Sequence, residues 1–486
     1  MNRRPLFMLI VMLAALIGGG NSLSAADAET KPNVILMFID DLGYGDIGPY
    51  GCKDIPTPNI DRLAKEGTTA TTFYITNPPC SPSRHALMMG EYAQRGGKFG
   101  MARGLALPED RPTMAQFLSD AGYHTAQIGK WDMGNKRQGP LNVGFKETNK
   151  NPPKKIYTDA ERIAMRQGPL AIGKTATNKT LSGKTDQKDK NARSSRYICL
   201  NENGEEQLLT EYEGEQIVEF LDRAHSDPFF LYISPFAVHG PNNQMPKYLV
   251  DRVPENVKGE RRYLAASIMA LDDQVGQILD ALEKKGMREN TLFVFASDNG
   301  ADPKQGGTST PFTGGKGKGT QKEGWVRTPA IFSQPGVIPE GKVYDGMICS
   351  LDIYATIAGL LREDAPHHLD GVNLIPFFQE KKKDVPHEFI FWLNNDPTDA
   401  PRRHLVAVRW KNWRLYKYEE PDPWQLFDLK KDPREERNVA GEYPEVVKKL
   451  NKEFEGWKKT LPQWKPMPDP GKGIPIPQGH GWTILN

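Results

Sequence analysis

Cysteine is scarce in this chain of 486 residues: the only four are Cys52, Cys80, Cys199 and Cys349. That number excludes a disulfide scaffold, and if Cys80 is chemically modified the other three allow at most one internal bridge. Histidine is scarce too, nine in all, and it nowhere clusters with cysteine at the spacing of a zinc site. No charge excess exists: 63 Lys and Arg face 61 Asp and Glu, so bulk charge selects no class of partner, and no nucleic-acid motif appears. Long apolar runs are missing as well. The one candidate, Leu6 to Ile17, is short for a membrane span. With Arg3 and Arg4 ahead of it and small residues behind, residues 1–26 read as a secretory signal cleaved after Ser24-Ala25-Ala26. The expectation is a secreted or periplasmic protein without stable membrane association.

Buried strands alternate with helices over the next three hundred residues. Asn33–Ile39, Pro228–Ser234 and Thr291–Ser297 are apolar runs of the kind buried on both faces of a sheet. Tyr123–Ile128 adds a further strand. Helices are expected at Thr57–Gly67, with Thr57 as N-cap and Pro58 at its first position, and at Arg111–Gly122, Glu211–Arg223 and Arg262–Gly286. This alternation predicts an α/β fold around a largely parallel sheet flanked by helices. From about Pro386 the texture changes to short aromatic strands (Glu388–Leu393, Leu405–Trp410, Trp413–Tyr418) and a helix over Pro444–Trp457. The domains are therefore placed at 27–385 and 386–486, the second a smaller α+β unit on an antiparallel sheet. Within the first, residues 150–196 hold 12 Lys or Arg against four Asp or Glu and lack periodicity, which predicts a basic surface insertion.

The chemistry lies where the strands end. Asp40 and Asp41 follow the first run, Asp298 and Asn299 follow Thr291–Ser297, and ligands in such folds gather at the carboxyl ends of strands. Gly43 and Gly45 end the first strand, so both aspartates can turn towards one ion. Carboxylates with an amide carbonyl suit a hard cation, Ca²⁺ or Mg²⁺, rather than zinc. Cys80 stands after Pro78-Pro79 at the mouth of a helix, where the dipole is expected to lower a thiol pKa.

Cys80-Ser81-Pro82-Ser83-Arg84 resembles the maturation signature of type I sulfatases. The ordered set Asp40-Asp41, Gly129-Lys130-Trp131, His239-Gly240-Pro241, Ser297-Asp298-Asn299-Gly300 and Lys318 five residues before Glu323-Gly324 is similar to that family too. So is the later Leu426-Phe-Asp-Leu-x-x-Asp432-Pro-x-Glu435-x-x-Asn438. The resemblance implies an alkaline-phosphatase-like fold and a secreted hydrolase of sulfate monoesters, with sulfated carbohydrate as substrate. It also implies that a formylglycine-generating enzyme converts Cys80 to formylglycine (3-oxoalanine). Asp40, Asp41, Asp298, Asn299 and the modified Cys80 would hold Ca²⁺, favoured over Mg²⁺. Arg84 would stabilise the aldehyde hydrate, Lys130 and Lys318 would hold sulfate oxygens, and His239 would protonate the leaving oxygen or share that role with Lys318. Lys318 is preferred to Lys316 because only Lys318 has the five-residue spacing to Glu323. One departure stands out: the family's usual histidine two residues after the Gly-Lys-Trp lysine is Asp132 here, counted among the substrate-binding residues, and His124 is no replacement for it. Two other classes fit less well: a phosphonate or phosphate monoester hydrolase on the same fold, and a non-catalytic sulfated-glycan binder. Trp392, Trp410 and Trp413 could stack on sugar rings or fill a core.

Overall fold

Eight strands form the main sheet of the computed structural model: β1 (Asn33–Ile39), β2 (Thr68–Ala70), β3 (His124–Gly129), β4 (Glu147–Thr148), β5 (Phe229–Ser234), β6 (Thr291–Ser297), β7 (Ala330–Ser333) and β8 (Lys342–Tyr344). Their order is β8-β2-β7-β6-β1-β5-β3-β4. The five strands from β6 to β4 run parallel. β7 runs antiparallel to both β6 and β2, so the sheet is mixed at one side and parallel through its middle. The structure describes residues 31–463 apart from 102–104, 136, 150–153, 158–192, 202, 224, 241, 243–244, 318–321, 396–403 and 419–421.

Pleating explains why the middle runs are apolar throughout. Ile35, Met37 and Ile39 of β1 point into one core, and Val34, Leu36 and Phe38 into the other. The helices Pro58–Lys65, Leu209–Asp222 and Glu260–Lys284 cover the first face. Cys80–Met89, Met114–Asp120 and Asp352–Leu360 cover the second. Each fully buried large apolar side chain is worth about 1.5–3 kcal/mol, so this sheet is a rigid platform for what its strand ends carry. Thr57 takes the N-cap position, but its hydroxyl accepts from the Gly48 amide and donates to Asp61 instead of capping the helix.

A second sheet pairs Phe389–Asn394, Leu405–Trp410, Trp413–Lys417 and Gln425–Asp428, all antiparallel. Its fourth strand was not expected from the sequence. One face packs on Leu450 and Phe454 of the helix Pro444–Lys458. The other packs Trp392 and Tyr416 against Tyr74, Ala86 and Trp325. The basic insertion also differs from expectation at its ends: Lys154–Tyr157 and Arg193–Leu200 pair antiparallel, and Glu206–Leu208 extends that small sheet. Its middle, 158–192, lies outside the described residues, as does the predicted signal. All four cysteines are free thiols. Among the described residues, no helix is long and apolar enough to cross a membrane.

Candidate active site

Three adjacent parallel strands, β6, β1 and β5, deliver their carboxyl ends to one place. Asp40 and Asp41 follow β1, and Asp298 and Asn299 follow β6. Asp41 takes a left-handed backbone (φ 64°), which turns it off the strand and lets both neighbours face one centre. From the other side the helix Cys80–Met89 presents its first residue. Oxygens of Asp40, Asp41 and Asp298 and the Cys80 sulfur lie within 4.8 Å of one another, and all four residues are buried.

Cys80 Sγ lies 3.2 Å from Asp40 Oδ1 and 3.5 Å from Asn299 Oδ1. The Asn299 amide donates to Asp41 Oδ1 at 2.7 Å. Arg84, one helical turn after Cys80, is fully buried. It donates to Asp298 Oδ2 at 2.6 Å, to the Tyr232 hydroxyl at 3.2 Å and to the Ser234 hydroxyl. Lys130 follows Gly129, whose φ of 97° and close approach to the Ser234 carbonyl leave no room for a Cβ. That turn aims Lys130 Nζ at Asp40 Oδ2, 2.6 Å away, with Asp132 Oδ2 at 3.2 Å. The His239 ring holds Nδ1 against the Gly240 carbonyl at 2.7 Å and turns Nε2 towards Asp41 Oδ2 at 3.7 Å.

Electrostatics separates the members. Burial alone would raise Asp40, but Lys130, His239, Arg84 and Lys316 outweigh it and hold it well below the carboxylate range. Asp298 goes the other way. Burial and the neighbouring Asp40 push it up to about 7 despite Arg84 and Lys130. Such crowding of buried acids is what a divalent cation relieves, and three carboxylates with one amide oxygen are the donors of a hard ion. The residues present therefore fit Ca²⁺. The helix mouth does not lower the Cys80 thiol pKa as the sequence suggests. Burial and the Asp40 carboxylate push it well above the usual value, and Lys130 and Lys316 offset only part of that. As a thiol, Cys80 is a poor nucleophile.

Lys316, the lysine that spacing to Glu323 ranks second, reaches the centre. Its Nζ donates to Asp41 Oδ2 at 2.7 Å and lies 4.0 Å from Cys80 Sγ. Lys318, preferred on spacing, lies outside the described residues. The signal was present in Gly314-Gly315-Lys316-Gly317-Lys318-Gly319, where two lysines stand two apart. Asp132, with a left-handed backbone (φ 49°), shares Lys130 with Asp40. Of the C-terminal tryptophans, Trp392 is core, and Trp410 and Trp413 are half-buried against the second sheet's cluster. Trp392 is buried and donates to the Ile75 carbonyl, while Trp410 stacks near Phe389 and Trp413 meets Tyr443.

The sulfatase family profile matches residues 32–363. The chain belongs to the sulfatase family. A second profile, the C-terminal region of N-sulphoglucosamine sulphohydrolase, matches residues 318–460. N-acetylgalactosamine-6-sulfatase of Rattus norvegicus is 31% identical over 89% of this chain and 79% of its own length. Steryl-sulfatase of Mus musculus is 28% identical over 90% of this chain and 84% of its own. The solved structure "Ps i-CgsB in complex with k-i-k-neocarrahexaose" superposes with a TM-score of 0.72 at 30% identity, covering 90% of this chain and 94% of that one. The protein is thus a sulfuric ester hydrolase of the formylglycine-dependent sulfatases, and Cys80 is the residue available for that modification.

Proposed function

We propose that this sulfatase hydrolyses sulfate monoesters of carbohydrates, with Cys80 as formylglycine and with Asp40, Asp41, Asp298 and Asn299 as the Ca²⁺ ligands. The observation that carries the reading is the convergence of three carboxylates and Cys80 in one buried centre, bordered by the amines of Lys130 and Lys316. Bound Ca²⁺ supplies a fixed positive charge against sulfate oxygens, and the formylglycine hydrate supplies the attacking hydroxyl. The chain's own residues do the rest. Lys130 and Lys316 offer ammonium donors to an anion entering beside Cys80, Lys316 coming from the same glycine-rich stretch as Lys318. Arg84, locked by Asp298, Tyr232 and Ser234, holds a permanent charge beneath the nucleophile position. His239, anchored through Nδ1, keeps Nε2 on the site as the group that passes a proton to the departing alcohol oxygen. Donors fixed in advance at a buried site stabilise developing charge without reorganising.

The carbohydrate assignment draws on the relatives: one is named for N-acetylgalactosamine 6-sulfate, and one solved structure is titled as a neocarrahexaose complex. Export through the secretory signal and maturation by a formylglycine-generating enzyme belong to the same proposal. The test is sulfate release, followed by ion chromatography, from a panel of sulfated mono- and oligosaccharides, a steryl sulfate and a phosphonate monoester. Faster turnover of one sulfated sugar is expected. Preference for the steryl sulfate or the phosphonate contradicts the assignment.

A further inference from the structure

The C-terminal motif Asp432-Pro433-Arg434-Glu435-x-x-Asn438 is not used by the mechanism above, yet the chain builds it with care. The Asp432 carboxylate accepts the Glu436 and Arg437 amides at 2.8 and 2.9 Å. Asn438 Oδ1 accepts the Leu426 and Ala440 amides, both at 3.0 Å. Between these anchors Glu435 adopts a left-handed backbone (φ 55°) and is buried. The turn therefore projects three acceptors in one direction: the Arg434 and Glu435 carbonyls and the Glu435 carboxyl.

All three meet the segment that carries Lys316. Thr313 Oγ1 donates to the Arg434 carbonyl at 2.6 Å. Lys322 Nζ donates to the carbonyls of Arg434 and Glu435 at 3.1 and 2.9 Å. The Glu323 amide donates to Glu435 Oε2 at 2.7 Å. Gly324 closes the segment by donating its amide to the Thr313 carbonyl at 2.8 Å. Behind the turn, buried Arg414 of the small sheet donates to Glu323 Oε1 at 2.9 Å and lies 3.3 Å from Glu435 Oε1, while Tyr74 donates to Glu323 Oε2 at 2.7 Å. Both flanks of the lysine segment are thus fastened to one turn of the C-terminal sheet.

We propose that the Arg434–Glu435 turn, backed by Arg414, positions Lys316 in the active site, so that the small antiparallel sheet sets how firmly sulfate is held. Glu435 acts through Lys316 and touches no substrate, which makes it a positioning residue. The inference rests on the reading of Lys316 as a sulfate contact. Burial and the neighbouring Glu323 push the Glu435 carboxyl up against the pull of Arg414, and glutamine keeps its length and an oxygen acceptor for the Glu323 amide.

The experiment compares matured wild type with Glu435→Ala, Glu435→Gln and Lys322→Met by hydrogen exchange of the amides in 313–317 and 322–324 and by kinetics on a chromogenic aryl sulfate. Lys322 is half-buried, and its replacement leaves the core untouched should Glu435→Ala fail to fold. We expect Glu435→Ala to speed exchange of these amides at least tenfold, with β1 and β6 unchanged. The same variant should raise KM and the inhibition constant of inorganic sulfate together about tenfold. Lys322→Met should move both in the same direction by a few-fold, and Glu435→Gln should restore both to within about twofold of wild type. Unchanged exchange in Glu435→Ala and Lys322→Met overturns the clamp. Faster exchange with KM and sulfate inhibition unmoved overturns its role in positioning Lys316. If matured wild type turns over no sulfate ester, the functional reading fails, and the exchange measurement still decides the clamp.

Discussion

Among the described residues, two clusters combine cysteine with aspartate, and they differ in how the acid is satisfied. Around Asp40, Asp41, Asp298 and Cys80, carboxylates crowd one another and draw in Arg84, Lys130 and Lys316. Around Cys349, Asp352 and His387, a single carboxylate already accepts two backbone amides, from Cys349 and Val372, and its remaining partner is the His387 Nε2 at 2.7 Å. The same Nε2 faces the Cys349 sulfur at 3.7 Å, so the imidazole does not link acid to thiol as a relay would. The first cluster ends parallel strands and brings three carboxylates to one centre. The second ties the start of the helix Asp352–Leu360 to the chain entering the small sheet. Residue type alone does not make a reactive centre; the convergence of several carboxylates at strand ends does.

The largest expected effect separates the two cysteines. Cys80→Ala should lower kcat by more than about 10³-fold, because covalent catalysis disappears with the nucleophile. Cys349→Ala should leave kcat within about twofold, its cost confined to packing. Comparable losses in both, measured as released sulfate, break the comparison.

Metal should separate the aspartates next. Adding Ca²⁺ to chelator-treated enzyme at about 100 times Kd should stabilise the fold by about 2.7 kcal/mol. Asp298→Asn should abolish that shift in a thermal unfolding scan, and His387→Gln should keep it. A Ca²⁺ shift that survives Asp298→Asn removes Asp298 from the ligand set.

The third effect is on stability and depends on pH. Burial opposes the charge on His387, but Asp352 and Cys349 raise its pKa well above the ordinary value. A group whose folded pKa is raised stabilises fully below its unfolded pKa, about 6.5, and loses that contribution as pH rises through the folded value. Relative to wild type, His387→Gln should therefore cost most near pH 6, about 3 kcal/mol for a buried pair left with one partner, and progressively less at alkaline pH. Denaturant midpoints taken across that range check it; a gap that is flat with pH or widens contradicts the ion pair.

The smallest effect concerns Asp132, which sits 3.2 Å from Lys130 and, if Lys130 holds sulfate as proposed, competes with it. Asp132→Asn should lower KM for a small sulfate ester about threefold by freeing that ammonium group. An increase in KM shows instead that Asp132 contacts the substrate favourably.

Much of this was legible in the sequence because the information was local. The runs at 33–39 and 291–297 became strands with the expected bounds, and the polar residues that ended them became the candidate centre. What was not legible depends on distant partners. β2, β7 and β8 are three or four residues long, too short to show a period, and exist because they extend a sheet begun elsewhere. The Cys80 thiol is raised because folding buries it and brings Asp40, forty residues away, to 3.2 Å. Lys316 was set aside on spacing to Glu323, while its contact is with Asp41, 275 residues before it.

The most direct test is the mass of the peptide containing Cys80, from protein co-expressed with an active formylglycine-generating enzyme and assayed in parallel for sulfate release. The mass loss of a thiol replaced by an aldehyde is expected, with activity rising in proportion to the converted fraction. A control sulfatase converted in the same cells while Cys80 stays a thiol, or full conversion without sulfate release from any ester, would contradict the proposed function.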